Sequence, residues 1–201
     1  MSAATNTRVK DGVVWRIGTE AEVAWISACT ASGPAITAAI PPSFEGYSTL
    51  AHPGEAGVPR EVEQEDEQDR ALLAVLRAHT APQPWWLAYL DTGASDIVFP
   101  DAPMVELYSH WRYVLVQAGP EQAGSWRPAG RWRNWKSTEL PELMFPEDRS
   151  WLVSTLWDDD WTCIGGPPPL IADLLADPTL GRRARQVTAE QDATPPGYRA
   201  R

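Results

Sequence analysis

The stretch that most limits how this chain can fold is residues 151–166, W-L-V-S-T-L-W-D-D-D-W-T-C-I-G-G. Residues 151–157 are dominated by aromatic, aliphatic and β-branched types, which sit well on a pleated surface. Asp158, Asp159 and Asp160 interrupt them with a polar turn, and residues 161–164 resume the apolar run until Gly165 and Gly166 stop it. Pro167, Pro168 and Pro169 lack the N–H that a further ladder would need. The stretch therefore predicts a hairpin at the centre of a sheet. Trp151, Val153 and Thr155 should lie on one face of its first strand and Leu152, Ser154 and Leu156 on the other.

Other segments supply the sheet and its cover. Residues 13–18 read as a strand. Thr19 with Glu22 three residues on forms a capping-box signature for a helix of about three turns, whose apolar face would carry Ala21, Ala24, Trp25, Ala28 and Cys29. Residues 35–51 suggest one or two irregular strands, and 52–59 a Gly/Pro-rich loop. Acidic residues from Glu61 onward precede Leu72, Leu73, Val75 and Leu76, the pattern of a helix with its negative end at the N-terminus. Strands are expected over 85–90, 96–99, 104–108 and 113–117, and a short helix over 118–126. Residues 145–149 read as a turn-like lead-in to the hairpin. A helix over 170–176 and a turn or edge strand over 182–187 complete the pattern. Strands and helices do not alternate strictly, so the expected class is α+β, a mostly antiparallel sheet flanked by a few helices. One domain is expected over 1–187, followed by a disordered tail over 188–201.

Composition narrows function. The 201 residues carry a formal net charge of −10, so nucleic acid and anionic membranes are not expected partners and a basic protein is. Cys29 and Cys163 are the two cysteines. Their distance in sequence and lack of ligand spacing suggest reduced, buried thiols in a cytoplasmic protein. The first residues show no apolar signal core, and no membrane span is expected. His52, His79 and His110 have no zinc spacing, and neither a serine-nucleophile motif nor a phosphate loop occurs, so no metal or cofactor is expected.

Three sites stand out. The run S-W-R-P-A-G-R-W-R-N-W-K-S over 125–137 interleaves aromatic and basic side chains without sheet or helix period. Trp126, Arg131, Trp132, Arg133 and Trp135 are the residue types that dominate interface hot spots, and they mark a partner-binding loop. Asp158, Asp159 and Asp160 form a second partner-binding candidate, since adjacent aspartates in a hairpin do not provide the alternating ligands of a calcium loop. The third is Y-L-D-T-G-A-S-D-I-V over 89–98. It resembles the active-site motif of retropepsin-like aspartic proteases, with Asp91, Thr92 and Gly93 at the matching positions and Cys163-Ile164-Gly165 as the apolar element placed behind the catalytic loop. The resemblance implies a homodimer that shares a carboxylate dyad. The same residues also suit a plain hairpin turn.

The hairpin followed by L-I-x-x-L-L-x-D-P resembles small, acidic, Trp-rich actinobacterial proteins of uncharacterised role. In style the chain is similar to SUKH-type immunity proteins, which implies a toxin-neutralising or regulatory binding module without catalysis. Eleven tryptophans also leave open a small-molecule-binding domain with an aromatic pocket.

Overall fold

The computed structural model describes residues 6–10, 12–53, 62–92, 99–125, 140–156 and 159–199. Its strands are β1 (Thr7–Lys10), β2 (Val13–Ile17), β3 (Gly46–Ala51), β4 (Trp85–Leu90), β5 (Val105–Leu107), β6 (Trp111–Ala118), β7 (Leu143–Pro146), β8 (Leu152–Ser154), β9 (Trp161–Gly166) and β10 (Ala184–Val187). The helices are α1 (Glu20–Ser27), α2 (Val62–Ala78), α3 (Pro120–Ala123) and α4 (Pro168–Ala176), with a 3-10 turn at Ile36–Ala38. The strands form one sheet in the order β1-β2-β6-β4-β7-β8-β9-β3-β10, with β5 alongside β6. Every pair within it is antiparallel. The fold is α+β.

Both faces of this sheet are covered. An antiparallel sheet with one wet face shows alternating apolar and polar residues, but here β3, β4, β7, β8 and β9 are buried along their whole length. Alternation divides their side chains between two cores. Trp85, Leu87 and Tyr89 join Met144, Val153 and Ile164 beneath Leu72 and Leu76 of α2 and Leu170 and Leu174 of α4. Trp86, Ala88 and Leu90 join Leu143, Phe145, Leu152 and Cys163 beneath Val23 and Ile26 of α1 and Ile36 of the 3-10 turn. Register lines up Leu87, Met144, Val153 and Ile164 as successive cross-strand neighbours on the first face.

Strands β8 and β9 pair as the expected hairpin, with Val153 opposite Ile164 and a neighbouring strand on each outer side. Trp151, just ahead of β8, is fully buried. Its ring meets Trp85 edge-on with centroids 4.7 Å apart. Its Nε1–H donates to Thr80 Oγ1 at 2.8 Å, which ties the hairpin to the end of α2. Gly165 and Gly166 do more than end the run. A Cβ on Gly165 would stand 2.5 Å from Ile40 Cγ2, and one on Gly166 would stand 2.7 Å from Leu170 Cδ2, so their bare backbones let both covering layers approach β9.

Several expectations are corrected. Residues 145 and 146, read as the start of a turn-like lead-in, instead end the interior strand β7, which lies between β4 and β8. A strand buried on both faces has no period-2 signal, and Pro146 falls at its last position, opposite Trp85. Helix α1 spans two turns and buries Val23 and Ile26, while Ala21, Ala24, Ala28 and Cys29 are exposed. Alanine methyls remove too little apolar area to compete with those branched side chains. Cys29 is therefore an exposed thiol, and Cys163 alone is buried.

Residues 35–51 contain a 3-10 turn and one regular strand. The expected strand at 96–99 lies outside the described residues except for Phe99, whose ring packs edge-on against Trp15 at 6.0 Å. The expected disordered tail does not hold for 188–199. Asp192 bridges to Ala35, Ala193 N–H donates to Pro34 O at 2.8 Å, and the Tyr198 hydroxyl donates to His52 O at 3.2 Å. The segment is polar in sequence but crosses one face of the sheet and covers Trp161 with the Tyr198 ring.

The α1 capping box is formed as read. Thr19 N–H and Oγ1–H both donate to Glu22 Oε2, at 2.8 and 2.7 Å, and Arg16 reaches Glu22 Oε1 at 2.8 Å. Burial pushes the Glu22 carboxyl up, but these partners outweigh it and leave its pKa below the ordinary value. A lowered folded pKa stabilises the protein above the unfolded value of about 4.3, and that contribution is lost as pH falls through the folded value. Glu22→Gln should therefore destabilise the protein at pH 7 more than at pH 3, measured by urea unfolding at both pH values. Trp151→Ala should lower stability by about 3–5 kcal/mol in the same assay.

Candidate functional site

Strand direction brings most of the candidate segments to one end of the sheet. Leu90 of β4 faces Tyr113 of β6, Leu143 of β7 faces Ser154 of β8, and Thr162 of β9 faces Leu50 of β3. The C-terminal ends of β3, β4 and β8 and the N-terminal ends of β6, β7 and β9 therefore share one rim. His52, Asp91, Thr92, Leu140, Thr155, Asp159 and Asp160 follow or precede these strands and stand at that rim.

Of the aspartate turn, Asp159 and Asp160 are half-buried. Asp159 N–H donates to Leu156 O at 3.1 Å and closes the turn, and Asp160 O accepts from His52 N–H at 2.9 Å, which joins the turn to the end of β3. Asp158, Gly93 and the aromatic–basic residues Trp126, Arg131, Trp132, Arg133 and Trp135 lie outside the described residues. Leu140, which follows the last of these segments, is buried at the rim.

Asp91 continues the β4–β6 ladder by donating its N–H to Arg112 O at 2.8 Å. The element that the retropepsin resemblance places behind it is elsewhere. Cys163, Ile164 and Gly165 belong to β9, paired with β3 and β8, and both β7 and β8 intervene between β9 and β4. At about 4.8 Å per strand this separates the two by about 14 Å. Hairpin connectivity decides the matter, because β7 enters the sheet beside β4 and β8 and β9 follow outward from it.

A polar cluster that sequence did not disclose lies on the α2 side of the rim. His52, buried, places Nε2 3.0 Å from Thr162 Oγ1, which lies 2.8 Å from Thr155 Oγ1. Gln68 of α2 is buried beside them, and its Oε1 has no hydrogen-bond partner. With Asp69, Leu72, Met144 and Val153 these residues line a partly open cavity of about 10 Å³. That volume admits roughly one water molecule. A histidine, an aspartate and threonine hydroxyls could shuttle protons, but the cavity has no room for a substrate. The Thr155–Thr162 contact was available from hairpin pairing, since Ser154 opposite Cys163 puts the next residues across from each other. His52 had no such signal, standing in a stretch that reads as loop.

The opposite face of the rim is also built for packing. The Tyr108 hydroxyl donates to Ala39 O at 2.8 Å and accepts from Ser154 Oγ at 3.0 Å. Burial raises the pKa of Tyr108, of neighbouring Tyr113 and of the Cys163 thiol, so all three stay protonated and none is an activated nucleophile. Among the described residues no group of three or more His, Cys, Asp or Glu is placed to hold a metal ion.

Trp15, Trp85, Trp86, Trp151 and Trp161 are buried in the two cores, and neither of two surface concavities in the structure is lined by tryptophan. Trp151 and Trp25 donate their indole N–H groups to Thr80 and Glu22 O, whereas Trp15 buries its own without a hydrogen bond. No helix among the described residues is long and apolar enough to cross a membrane. Comparison with protein families, curated proteins and solved structures finds no match.

Thr162→Val should lower stability by about 1–3 kcal/mol, because it takes from buried His52 and half-buried Thr155 the hydroxyl they share. Equilibrium urea unfolding measures this, and an unchanged midpoint would show that the cluster contributes nothing.

Proposed function

We propose that the chain is a noncatalytic protein-binding module of the cytoplasm that meets a basic partner at the rim where β3, β4, β8 and β9 end. Its role would be that of an immunity or regulatory protein of a bacterial toxin system. The observation that carries this reading is convergence. The aspartate turn at Asp159 and Asp160, the Asp91 segment and the point where the aromatic–basic stretch rejoins the sheet at Leu140 all stand on one rim.

The chemistry is consistent with binding. A net charge of −10 favours encounter with a basic surface. Trp and Arg side chains from 126–135 supply residue types that anchor interfaces. The polar cluster lines a cavity of about 10 Å³, too small for a substrate, and Cys163 and Tyr108 are held protonated. Cys29 and Cys163 are both free thiols, which suits a reducing compartment.

Purification from the native host at low salt should recover a stoichiometric basic protein that dissociates as salt is raised. Asp159→Lys with Asp160→Lys should abolish the complex without lowering the melting temperature of the free chain by more than a few degrees. A clean monomer at every salt concentration overturns the proposal.

A further inference from the structure

The sheet edge formed by β1 offers a second surface, remote from the rim chemistry. Ile17 N–H donates to Asn6 O at 2.7 Å. In the observed register Asn6 and Ile17, Arg8 and Trp15, and Lys10 and Val13 are then the hydrogen-bonded pairs, because such pairs alternate along an antiparallel ladder. The backbone groups of Arg8 and Lys10 point inward to β2. Those of Thr7 and Val9 point out of the sheet, where no strand among the described residues pairs with them.

Three further observations single out this edge. Val9 and Val14, cross-strand partners on one face of the β1–β2 hairpin, are 69% and 63% exposed. Among the described residues they are the large hydrophobic side chains left exposed to solvent. Pairing of β2 with β6 is confined to Arg16 and Ile17. The rest of the hairpin diverges from β6 and leaves a surface groove of about 420 Å³ lined by Val13, Val14, Arg16, Pro84 and Gln117 among others. The edge is also basic, with Arg8 and Lys10 on β1 in a chain whose net charge is −10.

We propose that the outer edge of β1 binds an extended segment of a partner protein, added as an antiparallel strand, in which acidic and β-branched residues alternate. Thr7 and Val9 would exchange backbone hydrogen bonds with the segment's β-branched residues. Arg8 and Lys10 would fall at the closer, non-hydrogen-bonded positions, where side chains directly opposite interact most strongly and opposite charges stabilise the pair. An apolar residue opposite Val9 would extend the Val9–Val14 patch. A second copy of this chain fits poorly, because pairing β1 with itself about Arg8 or about Val9 sets Arg8 against Arg8 or against Lys10. Basic residues on an edge are a known guard against self-pairing; here they also select what can pair.

The test uses the full chain and two soluble peptides, one alternating Glu and Val and one alternating Lys and Val, with binding read by calorimetry at low and moderate salt. The Glu peptide should bind and the Lys peptide should not. Arg8→Glu with Lys10→Glu should reverse the preference, weakening the Glu peptide by about tenfold or more. Val9→Pro removes one outward N–H that β2 does not use, so it should abolish binding while the circular dichroism spectrum stays that of the parent. The proposal is overturned if neither peptide binds, if both bind alike, or if Val9→Pro binds as well as the parent. A dimer in sedimentation that Val9→Pro dissolves would also overturn it, by giving the edge to a second copy. Because Asp159 and Asp160 are untouched in these variants, failure here leaves the rim proposal standing, and failure of the rim proposal leaves the peptide result unaffected.

Discussion

Burial of one antiparallel sheet on both faces is the constraint from which the rest of the structure follows. Strands β4, β7, β8 and β9 must present an apolar side chain in both directions at nearly every position. That requirement explains the runs W-W-L-A-Y-L and L-M-F-P, which alternate between two cores rather than between core and water. It also explains the tryptophans. Stacked layers leave wide gaps where helices cross a twisted sheet, and indole rings such as Trp85, Trp86 and Trp151 fill them. Small residues do the complementary task. Ala88, Ser154 and Cys163 lie on the α1 face under larger covering groups, and the bare backbones of Gly165 and Gly166 admit Ile40 and Leu170.

A sheet so thoroughly covered leaves its strand ends and its outer edge as the places where chemistry can be presented. At the ends, several polar groups that enter the core are tied to one another, as in His52–Thr162–Thr155 and Tyr108–Ser154, which offsets the cost of burying them. These networks set the positions of the connecting segments more than they offer reactive groups. The Asp160 carbonyl, for instance, is held by the His52 amide. At the outer edge the β1–β2 hairpin departs from β6 and carries Val9 and Val14 into solvent. The two surfaces differ in charge and in chemistry.

Local signals in the sequence carried much of the fold. The capping box at Thr19 and Glu22 is a contact between residues three apart, and the 151–166 hairpin is a contact across a short turn, so both were legible from neighbours alone. Strand β7 was not, because four residues with no polar alternation give no period. The face of α1 was misread because alanines mark a helix face without deciding which side has enough apolar area to be buried. The tail at 188–199 looked soluble because its residues are polar, yet backbone hydrogen bonds to Pro34 and from Ile36 hold it in place. Of the candidate site, the aspartate turn was visible as a turn. The partnership of its backbone with His52 and the distance of Cys163 from Asp91 were not.

The sequence by itself determined that this chain is an acidic α+β domain with a Trp-rich central hairpin, since hydrophobic pattern, caps and turn residues act over a few positions. Only the tertiary structure decided the order of the strands, which two faces the apolar runs serve, and which polar groups meet at the rim. Those relations join residues distant in the chain, such as Thr80 with Trp151 and His52 with Thr162. They depend on how the sheet closes over two separate cores, a choice made by total buried area and polar satisfaction rather than by any local run of residues.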